Sequence, residues 1–158
     1  MPNATVLVSA PSTAPSTAAS TAASVGLLVL RVALGGVFIA HGAQKIFEDS
    51  LPATADAFAG MGVPLAPVLG PAVAVLELAG GMLLVLGLLT RPIALLLAAT
   101  MVVALVLVHL PAGFWATDGG YEYVAVLAAG GLALALTGAG RLSADHALLR
   151  GRAPRWLA

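Results

Sequence analysis

The sequence predicts an all-α integral membrane protein, a four-transmembrane-helix bundle with both termini cytoplasmic, and three observations carry that prediction. Of its 158 residues 60% are hydrophobic and 9% charged, where a soluble domain would carry about 25% charged residues; the mean hydropathy is +1.04. A chain this short has too much surface for its volume to hide such a composition in a water-bathed core. The apolar residues gather into four long runs separated by Pro, Gly and charge. Arg91 lies in the second connection and Arg141, Arg150, Arg152 and Arg155 in the tail, while the third connection has no basic residue, which places both ends in the cytoplasm by the positive-inside rule.

Residues 1–24 are Ala, Ser, Thr, Pro and Val almost throughout, with no charge, and read as a disordered low-complexity leader. They lack the basic start of a signal peptide, so the first apolar helix is expected to be retained. The transmembrane domain is expected over 25–140. Its helix 1 runs from Val25 to Ile46, long enough to cross ~30 Å of hydrocarbon. Glu48 to Pro67 is too polar and too broken to span; Ala57, Phe58 and Met61 suit the apolar face of a short interfacial helix, and an irregular loop fits the same residues. Helix 2 runs from Val68 to Leu89 with Glu77 near its middle. The Thr90-Arg91-Pro92 turn ends it, because proline suits the start of the next helix. Helix 3 is Pro92 to Leu110 and is apolar until His109. Helix 4 is Tyr121 to Thr137, with Asp118 as its cap, and is short for a span. Its Ala125, Ala129, Ala133 and Thr137 recur every fourth residue and form a narrow edge for close helix packing. Residues 141–158 form a basic, interfacial cytoplasmic tail in which Ser143 caps a short helix and Trp156 is an anchor. Gly35, Gly36 and Gly42 recur as Gly80, Gly81 and Gly87 at a constant offset, a coincidence that Gly-rich helices produce readily.

Charges inside apolar helices nominate the sites. Arg31, Gly35, Phe38, Gly42 and Lys45 share one face of helix 1, with His41 at its margin. Depth counting at ~1.5 Å per residue brings Arg31 within reach of Glu77. The pair reads either as a buried ion pair pinning helix 1 to helix 2 or as an anchor for a ligand head group. His41, Lys45, His109 and Glu122 share a layer near the outer face, beside Tyr121 and a belt of Phe114, Trp115 and Tyr123. Three readings fit that layer: a surface cluster with Lys45 snorkelling or paired with Glu122; a pocket in which His41, Lys45, His109, Glu122 and Tyr121 hold the oxygens of a quinone or small oxyanion; and, the weakest, ligation of a b-type haem by His41 and His109. His146 is a solvated tail residue.

Zero net charge and the absence of a basic block beside aromatics give no nucleic-acid signal. The chain has no cysteine, which removes disulfide chemistry, iron–sulfur clusters and thiolate metal sites, and no metal site is expected.

Five stretches together carry a family resemblance: Arg31…Gly35, Phe38…His41-Gly42…Lys45, Phe58…Gly62-Val63-Pro64, Gly120-Tyr121-Glu122-Tyr123, and Thr137-Gly138-Ala139-Gly140-Arg141-Leu142-Ser143-Ala144-Asp145. In order and spacing they resemble the DoxX family of small four-span bacterial membrane proteins, over residues 25 to 146. Ala139 stands where many members have proline, which bears on turn geometry alone. The resemblance implies similarity to the DoxD-type subunit of an archaeal thiosulfate:quinone oxidoreductase, and to mycobacterial relatives associated with a membrane redox complex alongside a superoxide dismutase and a sulfurtransferase. It implies a core of Arg31, His41, Gly42, Lys45 and Glu122.

The resulting expectation is a multi-pass protein of the bacterial inner membrane that serves a redox complex as its quinone-interacting or anchoring subunit. No flavin, nicotinamide or iron–sulfur motif is present, so electrons would come from a redox partner protein. Two contrasting expectations are a non-catalytic scaffold recruiting proteins or lipid through its basic tail, and small-solute transport. Self-association as a homo-oligomer is compatible with each.

Overall fold

A computed structural model of the chain describes residues 17–149, and among them every regular element is helical. α1, Thr17–Ala43, runs directly into a wider π turn, Gln44–Glu48. α2 is Leu51–Gly60 and α3 Ala66–Leu86. α4, Thr90–Ala104, continues through a second π turn, Leu105–His109, and a 3-10 turn, Leu110–Ala112. A further 3-10 turn, Ala116–Asp118, leads to α5, Glu122–Thr137, and then α6, Ala144–Leu149.

Three segments are long and apolar enough to cross a membrane: Thr21–Glu48, Ala66–Leu86 and Thr90–Ala112. At ~1.5 Å per residue each reaches the ~30 Å of a hydrocarbon core. α5 is equally apolar but has 16 residues. α1 begins inside the segment expected to be a leader, because Ala18, Ala19, Ala22 and Ala23 are strong helix formers joined to an apolar run. The rest of that leader, together with Arg150, Arg152, Arg155 and Trp156, lies outside the described residues.

The helices form two antiparallel pairs, α1 with α3 and α4 with α5. Leu34, Phe38, Leu84, Leu97 and Leu134 fill the space between the pairs, while Val29, Val75, Leu95 and Val126 point outward, as apolar side chains do when the surroundings are lipid. Small residues set the α1–α3 spacing. A Cβ on either Gly35 or Gly81 would stand 2.7 Å from the other's carbonyl oxygen, and one on Gly42 would stand 2.8 Å from Leu78 Cα and 2.9 Å from Ala74 O. The glycines of the two helices are thus partners across a seam rather than equivalents in a repeat.

Other expectations change. The segment after helix 1 does form a helix, α2, started by Ser50, whose Oγ accepts from Ala53 N at 3.5 Å. What it buries is Thr54 rather than an apolar face, and its backbone lies against α3 at Gly70, where an added Cβ would be 3.0 Å from Ala55 Cα. Asp118 does not cap α5; it belongs to the preceding 3-10 turn, and Tyr121 holds the cap position with no side-chain bond. The small-residue edge of α5 does not pack as expected either. Ala129, Ala133 and Thr137 are exposed, and close approach occurs a face away, where a Cβ on Gly131 would be 3.1 Å from that of Ala98. Ser143 does cap α6, accepting from His146 N at 3.2 Å.

The seam predicts a contrast between two glycines. Gly42→Val forces α1 off the Leu78 backbone and should cost about 1–3 kcal/mol, the usual range for overpacking. Gly36→Ala, with no atom within 4 Å of the added Cβ, should leave stability unchanged or slightly raised. Unfolding midpoints in detergent compare the two.

Candidate functional site

Lys45 lies in the π turn that ends the first long helix. That turn is held from α2: Thr54 Oγ1 lies 3.0 Å from both Lys45 O and Ser50 O. Because Gly42 lets α1 lie on α3, the lysine side chain crosses to Glu77 and its Nζ donates to Oε2 at 2.6 Å. The carboxylate is nearly sealed, with 4% of its side chain exposed against 22% for the lysine. A charge this deep is tolerated only when paired, and the lysine is its partner.

The expected Arg31–Glu77 pair is therefore corrected. Antiparallel packing puts Arg31 level with Gly87, about ten residues and ~15 Å beyond Glu77 along α3. There the fully buried Arg31 donates from Nη1 to Leu84 O at 3.3 Å and Val85 O at 3.4 Å, and from Nη2 to Leu142 O. Leu84 and Val85 belong to the last turn of α3, whose carbonyls lack a following helical turn; Leu84 O also accepts from Gly87 N at 3.0 Å, and a cation there complements the helix dipole. Asp145 does the reciprocal work: its Oδ2 accepts from Thr90 N at 3.4 Å at the start of α4, while its own N donates to Gly87 O at 3.0 Å. Gly87, at φ +72°, has no side chain to contest the space taken by the guanidinium.

At the Lys45 end a cavity of about 530 Å³ opens among α1, α3, α4 and α5. Phe38, His41, Lys45, Glu77, His109 and Tyr123 all line it. Its wall along α3 and α4 includes Leu69, Leu96, Val103 and Leu107, each more than a third exposed, so the chamber is open rather than sealed along these two helices. His109 lies in the second π turn with Nδ1 2.7 Å from Gly119 O. A carbonyl can only accept, so Nδ1 carries a proton, and in the neutral ring Nε2 is the acceptor. His41 stands exposed at the rim, its ring centroid 6.3 Å from that of Tyr123.

Of the expected ligand-binding residues, then, His41, Lys45 and His109 meet around one cavity, and Glu77 joins them. Glu122 and Tyr121 do not line it. Glu122 Oε1 accepts from Ala116 N at 2.9 Å and its own N donates to Phe114 O at 2.9 Å, closing the loop before α5. Tyr121 packs edge-on against Phe114, at a centroid distance of 5.5 Å. Tyr123 is the tyrosine at the cavity; two residues apart on a helix, the two side chains point to nearly opposite sides, and the sequence pattern ranked them in the wrong order.

The family model described as DoxX matches residues 26–110, just over half of the sequence. The chain belongs to the DoxX family. A protein of Bacillus subtilis (strain 168) named "Putative oxidoreductase CatD" is 34% identical over 128 residues, covering 81% of the chain and 90% of that relative. No solved structure matches. In this DoxX protein the matched region contains Arg31, His41, Lys45, Glu77 and His109, so it includes the cavity's ion pair and histidines and the arginine at the opposite end, while Tyr123 lies beyond it.

Two outcomes follow from the pairings. Lys45→Met or Glu77→Gln alone leaves a partner without its counter-charge and should destabilise the fold, by about 3–5 kcal/mol for a deep pair, whereas the double variant should lose much less; a double-mutant cycle of unfolding midpoints measures it. Arg31→Lys should not rescue Arg31→Met, because one ammonium cannot reproduce the fork that serves Leu84, Val85 and Leu142; near-complete rescue in the same assay would refute the capping role.

Proposed function

We propose that this DoxX protein binds a quinone or a closely similar flat-headed lipid in the cavity at the Lys45 end, as the membrane subunit of a redox complex. The observation that carries this reading is an apolar chamber open along α3 and α4 and ending on polar groups. Such a shape suits a ligand whose apolar tail stays in lipid while its oxygens reach donors. Lys45 Nζ, charged and already oriented by Glu77, is the donor for one ring oxygen. The protonation of His109 at Nδ1 leaves Nε2 to accept from a hydroxyl of the reduced form, and Tyr123 and Phe38 supply aromatic surface against a ring. The oxidoreductase name of the Bacillus relative agrees with this class of chemistry. With no recognisable electron-carrier motif in the chain, a partner protein would deliver or remove the electrons.

The proposed placement is a four-span bundle in the bacterial inner membrane, α5 being the fourth and shortest span, with both termini cytoplasmic. Charge distribution supports it. Among the described residues Arg31, Arg91 and Arg141 lie at one end of the bundle, where Arg91 Nη1 donates to Leu136 O at 2.8 Å, and Lys45 is the one basic residue at the other; the positive-inside rule makes the arginine-rich end the cytoplasmic one.

Lipid extracts of the purified protein should contain quinone in amounts comparable to the protein. The Lys45→Met/Glu77→Gln double variant keeps the helices paired but lacks the charged donor. It should bind about 10- to 100-fold more weakly, the equivalent of one charged hydrogen bond of ~1.5–3 kcal/mol. Mass spectrometry that finds no quinone in the native extract, or equal retention by the double variant, would end the proposal.

A further inference from the structure

A second cavity, of about 410 Å³, lies on the other side of Lys45. It is lined by Asp49, Ala53, Thr54 and Ala57, and it shares Lys45, Phe58 and Met61 with the larger chamber. The two spaces differ in kind. The larger has walls that are almost wholly apolar and runs along α3 and α4, whereas the smaller lies along α2 and the turn before it, with Asp49, Lys45 and Thr54 among its few lining residues. Polar partners and room for water are what a hydrated cavity needs. Lys45 stands at the boundary and lines both spaces: its Nζ donates to Glu77, which lines the larger chamber, and its backbone carbonyl accepts from Thr54 of α2.

We propose that the smaller cavity is a hydrated vestibule through which water and protons from the aqueous phase reach the Lys45–Glu77 pair, by a route separate from the lateral entry of the lipid ligand. Phe58 and Met61, common to both spaces, form the apolar partition between the routes. The charged groups facing the lysine are Glu77 from α3 and Asp49 from the turn before α2, with His41 and His109 across the larger chamber. Exchange of the Nζ protons with vestibule water, one proton arriving for each that leaves, keeps the ion pair charged throughout. The function of this exchange rests on the ligand reading above, but the existence of the route does not.

The chemistry of the chain makes the route measurable, because Lys45 is the sole lysine of the sequence. The full chain in nanodiscs, with both faces in contact with buffer, is treated with a charged, membrane-impermeant acylating reagent, and modification of Lys45 is followed by peptide mass spectrometry. Ala53 and Ala57 lie on the exposed side of α2, so Ala57→Trp fills the vestibule without entering the core. Ala104→Trp fills the larger chamber instead. The native protein should be acylated at Lys45. Ala57→Trp should slow that acylation about tenfold if the filled space is open a tenth of the time, while Ala104→Trp should leave the rate unchanged and lower bound quinone. Absence of acylation in the native protein, an unchanged rate in Ala57→Trp, or slowing by Ala104→Trp in its place each overturns the vestibule. Helicity by circular dichroism establishes that both variants are folded. Loss of quinone from the native extract would sink the ligand reading while leaving the acylation rates as they are, so the two failures are told apart.

Discussion

The close approach of α1 and α3 is the constraint on which the remaining structure depends. Lipid gives no hydrophobic reward for bringing two apolar helices together, so contact must come from backbones near enough for dispersion to add up. Gly35, Gly81 and Gly42 remove the side chains that would hold them apart. Once these surfaces lock, the register leaves no freedom: Arg31 falls opposite Gly87, and Lys45 falls one turn from Glu77. The polar chemistry at both ends of the bundle is a result of where three residues lack side chains.

The polar groups then divide the work by position. At one end arginines serve helix termini. Arg31 serves the last carbonyls of α3, and Arg91, at the start of α4, serves those of α5 at Ala135, Leu136 and Thr137. Each antiparallel pair is thereby tied by an arginine from one helix to the C-terminal end of the other. At the other end the polar groups face a cavity. Lys45 and His109 both sit in π turns, where the helix is wider and the regular bonding pattern is relaxed, a local feature often found at functional sites.

How much of this was legible in the sequence follows from what sequence can encode. The long helices were, because apolar length and Pro–Gly punctuation are local properties, and so was the cluster of His41, Lys45 and His109, which needed only correct ordering along three helices. The partner of Glu77 was not. Depth counting from assumed helix ends carries errors of several residues, and the two candidates on that face, Arg31 and Lys45, lie on either side of the level of Glu77. Choosing between them needed the offset between α1 and α3, set by which glycine meets which backbone. Tyr121 and Tyr123 failed for a related reason: the pattern showed an aromatic pair but not which side of α5 faces inward. The π turns left no local trace, since the residues in them would fit an α-helix equally well.

Those π turns tie the site to helical phase. An α-helix advances by about 100° per residue, and each π turn absorbs one residue beyond what a regular turn would hold. Removing a single residue upstream of Lys45 and letting Gln44–Glu48 close into α-helical geometry would keep the helix, its length and its hydrophobicity nearly intact. The lysine would nevertheless be carried round the axis, away from Glu77. Chain length in these two turns is thus as much a part of the cavity as the side chains themselves, and related proteins that keep the lysine but differ by one residue there would turn it away from the cavity.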